Sequence, residues 1–170
     1  QACSDYVIGT RSKIRNDVPI IGPYDLNTEG SHDMYYKGAN MLHTLRQIIN
    51  NDEKFRSILR GLSSTFYHQI VTTSQIEDYI SVQAGLDLKS FFNQYLRDTR
   101  IPLFEYRLKH NKMQYRWNNC VADFDMPVLV TINGNSLMLN PTQKWQTYKA
   151  KNIENVQTDR NFYITATKVQ

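Results

Sequence analysis

The hydrophobic period of this chain changes once, from that of a helix to that of a strand, and the change falls at Ile101-Pro102. Before it, apolar residues recur every three or four positions. After it, they alternate with polar ones. A chain with helices gathered in one part and short strands in the other is α+β, because a strand-helix alternation would be needed for a parallel sheet. The expectation is a helical array over residues 1–100 and a small antiparallel β-sandwich over residues 101–170, joined near residues 98–102.

In the first part, Cys3, Tyr6, Val7, Thr10 and Ile14 make one stripe of an opening helix. That stripe begins without a capping residue ahead of it, so the chain is expected to be cut from something longer. Residues 16–33 hold Pro19, Gly22, Pro23 and Gly30 and form a structured loop. From Met34 the period returns, with Tyr35, Ala39, Leu42 and Ile49 on one stripe and Met34, Met41, Leu45 and Ile48 on another. Lys37, Asn40, Thr44 and Gln47 make its narrow polar face. Asp52 is the expected cap of the next helix, whose buried stripe holds Phe55, Ile58, Leu59, Leu62 and Phe66. Thr73 or Ser74 caps the one after, with capping-box spacing from Ser74 to Glu77 and a stop at Gly85. Asp87 caps the last, which buries Leu88, Phe91, Phe92, Tyr95 and Leu96.

In the second part, Leu103 to Lys109 and Met113 to Trp117 read as a hairpin around His110-Asn111-Lys112. Pro127 to Ile132 and Ser136 to Leu139 flank Asn133-Gly134-Asn135, where the Asn-Gly pair signals a tight turn. Lys144 to Ala150 and Phe162 to Lys168 supply further strands.

Charge divides at the same place. Residues 1–100 carry eleven basic and eleven acidic side chains, so the whole net charge of +4 belongs to residues 101–170, with nine basic and five acidic. The basic residues are scattered between strand positions and no nucleic-acid motif accompanies them. The reading is a solvated strand surface and no nucleic-acid partner. No apolar run approaches the roughly 18 residues of a membrane-spanning helix. The two cysteines, far apart in sequence, do not fix the compartment. An extracytoplasmic setting, periplasmic or secreted, is preferred over the cytoplasm.

The residues by themselves name no reaction. His32, His43, His68 and His110 show no H-E-x-x-H spacing, neither cysteine sits in a C-x-x-C, and no G-x-S-x-G elbow or phosphate loop is present. Spacing leaves a Cys3/His43 pair open, although Cys3 on an apolar stripe reads as a buried structural thiol. The segment from Asn27 to Ala39 stands apart: a polar loop runs into a largely buried helix and brings tyrosines with it.

That segment carries a resemblance. Tyr35-Tyr36-Lys37-Gly38-Ala39, followed by Met41-Leu42-His43-Thr44-Leu45-Arg46, resembles the Y-x-K-G-A…L…L-R segment of M1-family zinc aminopeptidases, the gluzincins. Phe55-Arg56 with Leu59 looks like the next helix of that family. Thr72-Thr73 with Ile76 and Tyr79 is similar to its T-T-x-x-(F/W) helix start. Leu88, Phe91, Phe92 and Tyr95-Leu96 resemble its F-F-x-Q-W-L helix, with Tyr95 where Trp is usual. The resemblance implies that residues 1–100 are the helical C-terminal part of a thermolysin-like catalytic domain and residues 101–170 the sandwich that follows it.

It also implies hydrolysis of N-terminal residues from peptides by a zinc ion, held by two His of H-E-x-x-H and a later Glu. All of these are absent from the chain and expected upstream. The one catalytic residue it places here is Tyr35, whose neutral phenol would donate to the charge developing on the substrate oxygen. Tyr36 falls at the variable position. Asn27 and Glu29, just ahead of Tyr35, are candidates for the edge of a substrate cleft. The chain alone is expected to bind no zinc and to be inactive. The alternatives are a non-catalytic scaffold of the same fold and a free-standing interaction module.

Overall fold

The computed structural model describes residues 2–21, 31–109 and 111–170. Five helices occupy the first part: α1 Ala2–Gly9, α2 Asp33–Ile49, α3 Asp52–Thr65, α4 Thr73–Ala84 and α5 Lys89–Arg97. A 3-10 turn, Thr10–Lys13, follows α1. Seven strands occupy the second: β1 Leu103–Lys109, β2 Lys112–Asn118, β3 Val128–Ile132, β4 Asn135–Leu139, β5 Gln146–Lys149, β6 Val156–Thr158 and β7 Thr165–Lys168. They form two sheets, ordered β5-β2-β1-β7 and β4-β3-β6. The fold is α+β, a helical part with a small β-sandwich.

The helix ends follow local hydrogen-bonding chemistry, displaced by a residue or two from the expected positions. Asn51, not Asp52, caps α3: its side chain accepts from the Lys54 N–H at 2.9 Å, which puts Asp52 inside the first turn. Thr72, not Thr73 or Ser74, caps α4. Its hydroxyl accepts from the Gln75 N–H while Gln75 Oε1 accepts from the Thr72 N–H at 2.8 Å, a reciprocal capping box that replaces the Ser74–Glu77 one. Gly85 ends α4 at φ 69°, a left-handed conformation that costs glycine nothing. Asp87 lies two residues ahead of α5 and still accepts from the Lys89 N–H at 3.0 Å. Gly61 admits the Tyr79 hydroxyl against α3, where a β-carbon would collide with it.

The largest departure from the sequence pattern is that α2 is buried on its polar side as well as its apolar one. Met41 and Leu45 of the apolar stripe join the core as expected, and the polar stripe beside them is covered too. Lys37, Asn40 and Thr44 are fully buried and Asp33 nearly so, whereas Met34 and Tyr35 are exposed. Burial of this stripe is tolerated because Asp33, Lys37, Asn40 and Thr44 each have a hydrogen-bond partner. Asn40 Oδ1 accepts from Arg11 Nε at 2.8 Å, and Asn40 Nδ2 lies 3.1 Å from Thr10 Oγ1 and 2.9 Å from the Tyr36 carbonyl. Thr44 Oγ1 donates to the Asn40 carbonyl at 2.8 Å and accepts from the Tyr163 N–H at 2.9 Å. The opening stripe is also corrected: Tyr6 and Cys3 are exposed, so Cys3 is not a buried structural thiol.

In the sandwich, the Asn133-Gly134 turn has both residues at positive φ, 48° and 84°, which matches the twist of the β3–β4 hairpin. Two strands are shorter than their sequence pattern: β5 spans only Gln146–Lys149, and the last begins at Thr165, with Phe162 and Tyr163 buried in the turn before it. The three-residue β6 has no counterpart in the expected strands. The sheets are not wholly antiparallel, since β7 runs parallel to β1.

A single core runs through helices and sheets. The Tyr95 hydroxyl on α5 donates to the Tyr163 carbonyl at 2.8 Å. Gln94 Oε1 accepts from the Val121 N–H at 2.8 Å while its amide donates to the Arg100 carbonyl. Within the sandwich, Trp117 Nε1 donates to the Met126 carbonyl at 3.0 Å, with the Phe104 and Phe124 rings edge-on to its indole.

Candidate active site

Tyr35 stands in the first turn of α2 with 64% of its surface exposed. The residues around it are fixed from the other side of the helix. Ser31 Oγ accepts from the Asp33 N–H at 3.2 Å, and the Ser31 and His32 carbonyls accept from the N–H groups of Met34 and Tyr35. Together these start the helix without a cap from His32. The buried Asp33 carboxylate accepts from the Arg15 N–H at 2.9 Å and the Asn16 N–H at 2.7 Å. Asn16, at φ 52°, donates through its side chain to the Tyr163 hydroxyl at 2.9 Å. The loop leaving the 3-10 turn, the start of α2 and the end of the sandwich are thus tied at one point.

One turn further on, Lys37 Nζ donates to the Asp98 carbonyl at 2.7 Å. Burial pushes this ammonium below its ordinary range, against the opposing pull of Asp33 and Asp98. The Asp98 carboxylate is held below the usual range by the Arg100 guanidinium, which donates through Nε at 3.0 Å and Nη2 at 2.6 Å. Tyr36 takes a different role from Tyr35: its half-buried ring lies 5.1 Å from the Lys13 ammonium. Of the two tyrosines, Tyr35 is the one turned outward, beside the exposed Met34, on a backbone anchored by Asp33, Lys37 and Asn40. Chemically it is an exposed phenol on a rigid support, able to give a hydrogen bond to a ligand brought against it.

Asn27 and Glu29 lie outside the described residues. His43 is buried and its Nε2 lies 3.0 Å from Asn161 Oδ1, which gives the ring a structural partner. Among the described residues, no three His, Cys, Asp or Glu side chains converge to hold a metal ion. The buried polar stripe that supports Tyr35 escapes sequence reasoning, because Lys37, Asn40 and Thr44 have the signature of a solvent face. So does a cleft of about 350 Å³ between α5 and the sandwich, lined by Ile48, Leu88, Phe91, Met126 and Pro127 among others. None of its lining residues comes from the first turn of α2.

No protein-family model matches this sequence, and no curated protein matches it. Among solved structures, the fold is similar to that of Legionella pneumophila aminopeptidase A, crystallised in complex with aspartic acid. The TM-score is 0.65 at 14% sequence identity, over 95% of this chain and 21% of that one. The likeness is one of fold, an aminopeptidase-like fold, and the chain spans about a fifth of that protein's length.

Proposed function

We propose that this chain is the helical and sandwich segment of a zinc-dependent M1-like aminopeptidase that removes N-terminal residues from peptides. In this reading residues 1–100 belong to the catalytic domain and residues 101–170 are the sandwich domain beside it. The observation that carries it is Tyr35 of the Y-x-K-G segment: the phenol is exposed while its helix is pinned on the opposite face through Asp33, Lys37 and Asn40. The aminopeptidase-like fold supports the same assignment.

On this proposal the zinc ligands are supplied by other segments of a longer protein. What this chain contributes is a hydrogen-bond donor. As water adds to the scissile carbonyl of a bound peptide, negative charge grows on the carbonyl oxygen. A phenol held in place beforehand can stabilise that charge without reorganising. The exposed hydroxyl suits that task, and the buried network behind it limits how far the ring can drift.

The test is Tyr35→Phe in the full-length protein. Loss of one oxyanion donor is expected to lower kcat by roughly 10²–10³-fold with unchanged zinc content. An unaltered kcat would remove Tyr35 from the mechanism. The 170-residue chain alone is expected to bind no stoichiometric zinc and to cleave no aminoacyl-anilide.

A further inference from the structure

We infer that the outward face of the β5-β2-β1-β7 sheet is a docking surface for an anionic lipid bilayer. The face is set by register. Lys109 of β1 lies directly opposite Lys112 of β2, and Lys112 lies directly opposite Lys149 of β5. All three are exposed, and none forms an ion pair among the described residues. Like charges opposite one another in a sheet are destabilising, so three in one row is an arrangement that folding alone does not favour.

Arg107 and Arg116 continue the same face. Arg107 Nε donates to Gln114 Oε1 at 2.9 Å, and both guanidinium groups lie over the Trp145 ring, 4.4 and 4.6 Å from its centroid. Glu105, paired with Arg116, is the only carboxylate at the outward positions of these four strands. Five cations therefore face one anion.

Their distribution selects the partner. By strand spacing, Lys109 to Lys149 span about 10 Å across the sheet, and Lys112 to Arg116 span about 14 Å along it. The array is two-dimensional and lies on a sheet face, whereas a linear polyanion is matched by a single row of charge. The aromatic surface of Trp145 is taken up by two guanidinium groups, which leaves it poorly placed to stack a nucleic-acid base. A bilayer bearing acidic headgroups is a plane of negative charge and attracts basic clusters of this kind.

The test is co-sedimentation of the full chain with vesicles of phosphatidylcholine alone and of phosphatidylcholine with phosphatidylserine. Binding only to the second, and release near 1 M salt where the screening length falls to about 3 Å, is expected. Lys112→Glu should weaken it about 10- to 30-fold. That variant places a carboxylate between two lysines, so its thermal midpoint should not fall; Lys149→Glu serves as the second variant. Arg60→Glu on α3 makes the same change in net charge away from the sheet and should alter binding by less than about 3-fold. Equal losses from Lys112→Glu and Arg60→Glu, no binding to the acidic vesicles at low salt, or tighter binding to a DNA oligomer or heparin than to vesicles would each overturn the proposal.

Discussion

The Lys37 ammonium and the Asp98 carbonyl, 61 residues apart in sequence and 2.7 Å apart in space, join the middle of the helical part to the segment that leads into the sandwich. The Lys37 side chain is fully buried, yet among the described residues it forms no ion pair with a carboxylate. Asp98 turns its own carboxylate to Arg100 and offers Lys37 its backbone instead. A buried cation held by a carbonyl is costly to solvate and costly to remove. Lys37→Ala should therefore destabilise by about 2–4 kcal/mol, through lost packing and an orphaned carbonyl. Lys37→Met, which keeps the stem, should cost less than half of that. Urea melts of both variants check the order.

The same lysine predicts a dependence on alkaline pH. Burial holds its folded-state pKa below the ordinary 10.5, so the unfolded chain binds the extra proton over the intervening window. Stability contributed through Lys37 thus rises as pH climbs from its lowered folded value towards 10.5. Buried phenols act in the opposite direction. Burial pushes Tyr95 and Tyr163 above their ordinary 10.0, so stability is lost above about pH 10, where the unfolded chain releases those protons. Comparing unfolding free energies of wild type and Lys37→Met across pH 7–10 isolates the lysine, since the tyrosines are common to both. The gap should move in favour of wild type as pH rises, and parallel profiles would contradict the buried, shifted ammonium.

How much of this was legible in the sequence depended on where the partners lie. The Asn133-Gly134 hairpin is local: two residues with left-handed preference force the turn, and the strands follow. The caps of α3 and α4 are also local, and are displaced by a residue or two because Asn51 and Thr72 are as good acceptors as their neighbours. The face of α2 is not local. Asn40 is satisfied by Arg11, 29 residues away, and Thr44 by Tyr163, 119 residues away. Hydrophobic periodicity counts apolar side chains and cannot register a polar stripe whose acceptors arrive from distant segments. The same limit hides the parallel pairing of β7 with β1, which no short-range signal encodes. Tyr35 is singled out in the sequence by its place in the Y-x-K-G segment, while its exposure depends on which sides of α2 the distant segments cover.

Thr44 gives a direct test of that buried polar face. Its hydroxyl takes the Tyr163 N–H and gives to the Asn40 carbonyl, so it bridges α2 to the end of the sandwich. Thr44→Val keeps the shape and deletes both bonds, leaving a buried N–H without an acceptor. The expected loss is about 1–3 kcal/mol, against near neutrality for a solvent-facing threonine. Thr44→Ser retains the hydroxyl and should recover most of it. Equal stability of wild type and Thr44→Val would mean that the polar stripe faces water.

Tyr35 should behave in the opposite way to the residues that hold it. The phenol is exposed and forms none of the buried network, so Tyr35→Phe should change folding stability by less than about 0.5 kcal/mol. Under the proposed aminopeptidase function, the same substitution in the full-length protein is expected to remove most of kcat. Lys37→Met should show a mixed pattern: a modest stability loss together with a lowered kcat, because the helix carrying Tyr35 loses its anchor at Asp98. Measuring thermal midpoint and kcat on both variants separates the two roles. A catalytic loss that scales with the stability loss across both variants would assign Tyr35 to structure, whereas a large loss of kcat without loss of stability at Tyr35 assigns it to the chemistry.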